Sequence, residues 1–252
     1  WGDNLYGQTE VPAEVAFTQI DTGSFTNCGI TTSSTIVCWG GSGTDVVDGE
    51  PSGSFTAVAA GFSLACALTT SGEARCWGSA GAESLGGTNP PPGPWKVLAV
   101  DGGRTGCGVS TEGTVDCWGG VVSDVEPPLG TGTFTDVEVA NSETVCGVTT
   151  AGAVECAERE ESWTLPAIDG MTGVTAIAMS EGYAIDGGGV VADACAVFTD
   201  GHVECSFLNF PAGDFAQVEM SAQSKGACAL TRDGLITCEC RSGIAADICE
   251  VP

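Results

Sequence analysis

Basic residues, histidine and long apolar runs are scarce in this sequence. In 252 residues, seven Lys and Arg stand against 33 Asp and Glu, and the formal net charge is −26. Proteins that bind DNA or RNA do so through a basic surface, so this charge excludes nucleic acid as a partner. No apolar run reaches the roughly 18 residues of a membrane-spanning helix, and we expect no membrane span.

Motifs for catalysis, cofactor binding and metal binding are also missing. The chain has no G-x-S-x-G nucleophile motif, no P-loop and no dinucleotide fingerprint. Its one histidine, His202, follows the turn at Asp200-Gly201, where we expect it to be exposed. An acidic surface attracts divalent cations, but no D-x-[DN]-x-[DN]-G loop supports a calcium site. We therefore predict a protein that is not an enzyme and has no cofactor.

What the sequence does contain is a repeat. Each copy opens with an aromatic or apolar residue, and the openings are 38 to 41 residues apart. A period this regular is typical of an architecture in which each unit buries its apolar face against its neighbours. Helical periodicity is missing, and the run after each opening residue alternates, which predicts a strand buried on one face. The opening residues are Phe17, Phe55, Trp95, Phe134, Val174 and Phe215.

Each copy continues with a predicted hairpin whose two strands carry one cysteine each. In the second copy the strands surround the loop Thr70-Ser71-Gly72, and five of the six copies have glycine at its last position. A three-residue hairpin loop favours glycine there, in the left-handed conformation. This register places Cys66 opposite Cys76. The first copy has Ser34 instead of glycine, so we expect its turn to differ.

The fourteen cysteines predict disulfides. Six pairs fall on opposed positions of the six hairpins, and Cys240 and Cys249 remain as a seventh pair. Disulfides persist in oxidising compartments, and closing a loop of about ten residues stabilises a fold by roughly 2.5–3 kcal/mol. The chain begins at Trp1 without a methionine, so we expect a mature secreted product, extracellular or at the cell surface. The six hairpin pairs are Cys28–Cys38, Cys66–Cys76, Cys107–Cys117, Cys146–Cys156, Cys195–Cys205 and Cys228–Cys238.

After its hairpin, each copy has a tail that contains Gly and Pro and ends at a proline. Proline is tolerated at the edge of a sheet and not at its centre, so we predict that the tail is a fourth, outer strand. Six such sheets closed into a ring would use residues 1–252 as a single domain.

The repeat resembles a known family. Three hairpins end in Cys-Trp-Gly, the second copy reads CALTTSGEARCWG, and the chain opens with WGDNLYGQ. These patterns resemble the repeats of the regulator of chromosome condensation family, most closely the short, cysteine-paired versions of secreted bacterial proteins. The resemblance covers essentially the whole chain. It implies an all-β fold, a β-propeller of six blades, each with four antiparallel strands and an internal disulfide.

The same resemblance says less about function. Members of that family include a nucleotide exchange factor, an enzyme inhibitor and surface proteins, and the exchange factor acts on chromatin through basic surfaces. This acidic, cysteine-paired chain departs from that pattern, so the exchange activity is not carried over. The Trp-Gly pair is also lost in copies four to six, either by drift or because one side of the ring is specialised.

The ends of the chain do not match the period. Residues 1–12 correspond to the outer strand of a copy whose other parts are absent, while the last copy has its own tail up to Pro252. The segment Trp1–Pro12 either completes the sixth blade and closes the ring, or adds as a strand to another subunit and builds a filament. The candidate residues for self-association are Trp1, Leu5, Tyr6 and Val11.

Copy five carries an insertion at residues 181–193. Insertions in repeat proteins usually emerge on one face, which is often the binding face. The loop is either a contact site or a tolerated insertion. Its candidate binding residues are Tyr183, Ile185, Asp186, Val190 and Asp193.

Together these patterns predict a secreted, non-enzymatic scaffold at the cell surface or in the extracellular matrix. Its predicted partners are proteins, including copies of itself joined into a filament through the terminal strand. The alternative is a soluble propeller that binds or inhibits a protein or glycan through residues 181–193.

Overall fold

A computed structural model describes residues 4–41, 45–101, 104–120, 129–140, 144–158, 167–180, 183–184, 190–220 and 226–240. Within these ranges the chain is all-β apart from two short helices, and it forms six antiparallel sheets of three strands, which we number 1 to 6. In chain order the sheets are β1 (Phe17–Thr22), β2 (Thr26–Thr31), β3 (Ile36–Gly40); β4 (Phe55–Ala60), β5 (Leu64–Thr69), β6 (Ala74–Gly78); β7 (Trp95–Val100), β8 (Thr105–Ser110), β9 (Val115–Gly119); β10 (Phe134–Ala140), β11 (Thr144–Thr149), β12 (Val154–Glu158); β13 (Val174–Met179), β16 (Ala194–Phe198), β17 (Val203–Cys205); and β18 (Phe215–Met220), β19 (Gly226–Thr231), β20 (Ile236–Cys240). The remaining elements are the ribbon β14 (Tyr183–Ala184) and β15 (Val190–Val191), and the helices α1 (Asp45–Asp48) and α2 (Ala80–Ser84).

The predicted hairpins and their register are confirmed. In every sheet the second and third strands pair around the turn with their two cysteines directly opposed. All six hairpin pairs form disulfides, so each sheet is closed covalently across these two strands. Cys240 is disulfide-bonded as well, and its predicted partner Cys249 lies outside the described residues.

The hairpin turns have the left-handed residue that the sequence predicts. The angle φ lies between +77° and +90° at Gly72, Gly113, Gly152, Gly201 and Gly234. Sheet 1 keeps the same conformation at Ser34, whose φ is +64°. The expectation of a different first turn is therefore wrong, because the strand register on either side fixes the loop at three residues. A left-handed conformation costs a residue with a Cβ roughly 1–2 kcal/mol.

Consecutive sheets are joined in the same way five times. From sheet 2 to sheet 6, the backbone N–H of the opening residue donates to the carbonyl of the turn residue in the preceding hairpin, at 2.8–2.9 Å. Beside this bond, the first strand packs on the cysteine-bearing face of the preceding sheet in a buried apolar cluster. We call this contact the sheet joint. Its five hydrogen bonds are Phe55–Ser34, Trp95–Gly72, Phe134–Gly113, Val174–Gly152 and Phe215–Gly201.

The described parts of the tails cross from one sheet to the next and form no fourth strand. The indole N–H of Trp77 donates to the carbonyl of Val46 in α1 at 2.8 Å, and the Val46 side chain is fully buried between β3 and β6. Trp118 makes the same bond to Gly87, after α2, at 2.9 Å. The predicted four-stranded blade is therefore wrong for the described tails, because these tails bury apolar side chains between two sheets and turn helically to do so.

Sheets 6 and 1 do not form this joint in the described part of the chain. The Phe17 N–H does not donate to the carbonyl of Gly234, and no apolar cluster of described residues spans the two sheets. The described residues thus make five sheet joints for six sheets.

Replacing Ser34 with glycine should stabilise the protein. Glycine avoids the steric cost of Cβ in the left-handed conformation but loses more chain entropy on folding, so we expect the free energy of unfolding to rise by about 0.5–1 kcal/mol. At the matched position, Gly72→Ser should lower it, since a Cβ there would lie 3.1 Å from Pro94. Urea unfolding measures both effects, and a less stable S34G protein would contradict the strain assigned to Ser34.

Candidate functional site

The first strands of all six sheets surround one cavity. It has a volume of about 190 Å³ and is lined by residues of β1, β4, β7, β10, β13 and β18. Five of its lining residues are acidic, and no Lys or Arg is among those that the structure describes there. The acidic residues are Asp21, Asp101, Asp136, Glu138 and Glu219.

Three of these acids occupy the same place in the repeat. Asp21, Glu138 and Glu219 are the fifth residues of their copies, and the other three copies have alanine there, at Ala59, Ala99 and Ala178. In a strand the third and fifth residues share a face. The third position adds Asp136 to the cavity in sheet 4 and Gln19 in sheet 1.

Some of these side chains also hold neighbouring first strands together. The carboxylate of Asp21 accepts from the N–H of Ala60 at 2.7 Å, and the amide of Gln19 both donates to and accepts from the backbone of Val58. Asp136 accepts from the N–H of Ile177 at 3.3 Å. The polar lining therefore serves as a set of links from one sheet to the next.

The enclosure of these carboxylates favours their neutral form. Burial raises the pKa of Asp136 to about 6. Burial, helped by the charges of Asp21 and Asp136, raises the pKa of Glu219 to about 8. The pKa of Glu138 is raised well above its ordinary value by burial and then by the charges of these three acids, with Glu219 the largest. By accessible surface Glu219 is exposed, and it lines the cavity together with the half-buried Asp21, Asp136 and Glu138.

In Asp21 burial also raises the pKa, and the hydrogen bonds from the Ala60 and Thr22 N–H groups offset part of the rise. The cavity can therefore take up protons near neutral pH, where exposed carboxylates stay ionised. Among the described residues, no group of three or more His, Cys, Asp or Glu is placed to hold a metal ion.

The terminal segment lies on sheet 1 of its own chain. The carbonyl of Gln8 accepts from the indole N–H of Trp39 and from the side chain of Asn27, both at 3.0 Å. The bond from Trp39 spans 31 residues, as do the bonds from Trp77 and Trp118 to the tails before them. Residues 4–12 thus take the place of a preceding tail, although the described part forms turns and not the predicted outer strand.

The predicted self-association residues differ in their surroundings. The ring of Tyr6 packs on Phe25 with 4.7 Å between centroids. Leu5 is 80% exposed and Val11 is 56% exposed, while Trp1 lies outside the described residues.

The predicted binding loop of copy five is described only in part. Tyr183 and Val190 lie in the ribbon β14–β15, and Ile185 and Asp186 lie outside the described residues. Asp193 is buried and accepts from the hydroxyl of Ser206. Its position just before β16 explains this, since it enters the core with that strand. Binding through residues 181–193 stays a prediction.

The one histidine lies on the exposed turn where it was expected. Its Nδ1 bonds to Asp200, its ring stacks on Phe198 at 4.1 Å, and the bond to Asp200 raises the pKa of His202.

The helices in the described ranges are too short to cross a membrane.

Sequence reasoning missed the acids of the cavity. The signal was present, because aligning the six copies places Asp21, Glu138 and Glu219 in one column that otherwise holds alanine. From the sequence alone, acidic residues at this position look like ordinary variation on an exposed surface. The structure shows instead that the first strands line one cavity.

Solved structures of similar fold cover nearly the whole chain. The CRINKLY WD40 ectodomain of the Arabidopsis thaliana receptor kinase ACR4 aligns with a TM-score of 0.70 and 20% identity, over 97% of this chain and 88% of that one. The ectodomain of the Physcomitrella patens receptor kinase CR4 aligns with a TM-score of 0.67 and 19% identity, over 96% of this chain and 66% of that one. This chain therefore spans about two thirds of the moss ectodomain.

A third solved structure and a protein-family model also resemble this chain. Prp20p from Saccharomyces cerevisiae, described with its binding to Gsp1p and histones, aligns with a TM-score of 0.58 and 13% identity, over 87% of this chain and 70% of that one. The family model of the regulator of chromosome condensation (RCC1) repeat matches residues 55–81, which are sheet 2 and the start of α2. No curated protein sequence matches the chain. The fold is propeller-like, and the resemblance to RCC1 repeats is confirmed.

The stability of the protein should fall as pH rises from about 4 to about 8. In this range the folded protein holds protons on the cavity acids that the unfolded chain has released, so the free energy of unfolding decreases with pH. Glu219→Gln should flatten the upper part of this decrease, between about pH 6 and 8. Urea unfolding at a series of pH values measures how the free energy of unfolding depends on pH. Glu73→Gln, which removes one charge from an exposed turn, is the matched control and should leave the slope unchanged.

The contact between the terminal segment and Trp39 can be tested by a double-mutant cycle. Trp39→Phe removes the indole donor and should cost about 1 kcal/mol more in the full chain than in a chain lacking residues 1–12. Trp77→Phe, whose acceptor is Val46, should cost the same in both backgrounds. Equal costs for W39F in the two backgrounds would show that the segment does not dock there.

Proposed function

We propose that this chain, which has a propeller-like fold and matches the RCC1 repeat at residues 55–81, works outside the cell as a non-enzymatic scaffold, at the cell surface or in the extracellular matrix. Its partners are proteins, including further copies of itself, with which it builds a filament. The observation that carries this proposal is the disulfide in each of the six sheets, within a fold shared with two receptor ectodomains.

The disulfides support an extracellular site of action. Disulfides are rare in reducing compartments, and the six pairs here are built into every repeat at opposed positions. Each disulfide lowers the conformational entropy of the unfolded chain and so stabilises the folded protein. This stability is useful outside the cell, where no chaperone can refold the protein. The likeness to the ectodomains of ACR4 and CR4 supports the same location.

The fold supports protein binding as the mode of action. Rigid sheets present loops and edges whose positions are fixed by the sheet joints, which lowers the entropic cost of binding. The similar protein Prp20p is described as binding Gsp1p and histones, and we extend protein binding, though not those partners, to this chain. The acidic surface favours basic partner surfaces.

Self-assembly is the finer part of the proposal. The sequence suggested the terminal strand as the joint between copies. The contacts of residues 4–8 with Trp39, Asn27 and Phe25 support a role for that segment in completing sheet 1 of its own chain. A filament through this segment would require its exchange between copies.

Expression with a secretion signal and expression in a reducing cytosol should give different products. We expect folded protein only from the secreted material, in which no cysteine reacts with an alkylating reagent until the protein is denatured and reduced. Intact mass before and after reduction and alkylation counts the thiols. Several free thiols in folded, secreted protein would contradict the extracellular assignment.

A further inference from the structure

Three aromatic side chains form a contiguous group on the surface. The ring centroids of Tyr6 and Phe25 are 4.7 Å apart, and those of Phe25 and Phe62 are 5.4 Å apart in an edge-to-face contact. Tyr6 is 47% exposed, Phe62 is 42% exposed, and Phe25 between them is half-buried. With the exposed Leu5, we call these residues the aromatic rim. Single exposed apolar side chains are common, whereas a contiguous exposed group marks an interaction site.

The rim is assembled from three separate parts of the chain. Tyr6 belongs to the terminal segment, Phe25 to the loop between β1 and β2, and Phe62 to the loop between β4 and β5. The two loops touch closely, since a Cβ built on Gly23 would lie 2.3 Å from the carbonyl oxygen of Gly61. The rings are therefore held in place before any partner arrives, which lowers the entropic cost of binding.

The rim borders the acidic cavity. Ser24 and Gly61 line that cavity, and each is followed directly in the chain by a rim residue, Phe25 and Phe62. Asp21, near the end of β1, lies on the cavity side of the same loop. All the charged residues in the described lining are acids, so the potential at this end of the cavity is negative.

Other charges near the rim agree with this sign. The exposed carboxylate of Glu10 lies 3.8 Å from a Cβ built on Gly7, which follows Tyr6 in the chain. Arg104 belongs to the corresponding loop of sheet 3, but its guanidinium lies against Gly81 in α2 and does not line the cavity. The described surroundings of the rim therefore favour a positively charged partner.

We propose that the aromatic rim docks a basic segment of a partner protein, with apolar side chains on the rim and an Arg or Lys side chain at the acidic cavity. Charge complementarity selects this occupant, since a cation gains both from carboxylates and from aromatic faces. Arginine fits better than lysine, because its planar guanidinium stacks on rings and pairs with carboxylates. A second copy fits this surface poorly, because the net charge of the chain is −26. The inference rests on the proposed protein-binding function and names its surface and the chemistry of its partner.

Titration with short peptides, followed by NMR of the backbone amides, tests the proposal. The probes are the capped pentapeptides Gly-Leu-Arg-Leu-Gly and Gly-Leu-Gln-Leu-Gly, which differ only in the charge of the central residue. The Arg peptide should shift the amides of Phe25 and Phe62 with a Kd of roughly 1 mM or lower, and the Gln peptide should bind about tenfold more weakly. Added salt should weaken the Arg peptide and leave the Gln peptide unchanged.

Substitutions on the rim locate the binding. Phe62→Ala should weaken the Arg peptide roughly three- to tenfold, because it removes both apolar contact and an aromatic face. Tyr6→Ala should act in the same direction. Leu235→Ala is the matched control, because Leu235 is 65% exposed in the hairpin turn of sheet 6, at the opposite end of the sheets, and binding should be unchanged. Phe62 is partly exposed, so folding should be retained, and thermal unfolding checks this.

Raising the pH from about 6 to about 8 should tighten binding of the Arg peptide and not of the Gln peptide. The acids that line the cavity are Asp21 on β1, Asp101 after β7, Asp136 and Glu138 on β10, and Glu219 on β18. In the described lining, β4 and β13 contribute no titratable side chain. Because the pKa of Asp136 is raised to about 6 and that of Glu219 to about 8, negative charge develops over this range and attracts the cation.

Three results would overturn the inference. If the Gln peptide binds as tightly as the Arg peptide, or the Arg peptide causes no shifts at roughly 10 mM, charge does not select the partner. If F62A and L235A bind the Arg peptide equally well, binding lies elsewhere. If a chitin oligosaccharide shifts the rim amides and the Arg peptide does not, the rim is a glycan surface. None of these results bears on the extracellular assignment, which the count of free thiols tests separately.

Discussion

The sheet joint is the contact on which the rest of this molecule depends. In sheets 2 to 6, one hydrogen bond from the opening N–H to the preceding turn fixes where the first strand begins, and an apolar cluster beside it is buried between the two sheets. A three-stranded sheet cannot bury both of its faces alone, so each copy is stable only through its neighbours. The disulfide inside each hairpin supports this arrangement, because it holds the turn that accepts the hydrogen bond.

The joint also explains where the acids lie. Because every first strand is placed in the same orientation by its opening residue, the first strands of all six copies line one cavity, and third or fifth residues of five of them are among its lining. Small residues at Ala59, Ala99 and Ala178 leave room for the larger acids of the other sheets. Burying carboxylates together opposes folding at neutral pH. The hydrogen bonds that Asp21 and Asp136 accept from neighbouring sheets offset part of that cost.

Local features could be predicted from the sequence because they depend on neighbours in the chain. The loop ending at Gly72 fixed the hairpin register, and this register paired Cys66 with Cys76. The tails could not be predicted in this way. Val46 reads as part of an edge strand, and only the presence of Trp77 in the next sheet makes a helical turn with a buried valine the better solution. The cavity required the relative placement of six sheets, which no single copy encodes.

Amide hydrogen exchange at the six opening residues, followed by NMR in dilute solution, tests the account most directly. The N–H groups of Phe55, Trp95, Phe134, Val174 and Phe215 each donate across a joint and should exchange slowly. The N–H of Phe17 makes no such bond to the turn of sheet 6 within the described residues and should exchange faster than these five. Exchange at the five that is as fast as at Phe17 would contradict the account, because the joints would then not protect the opening residues.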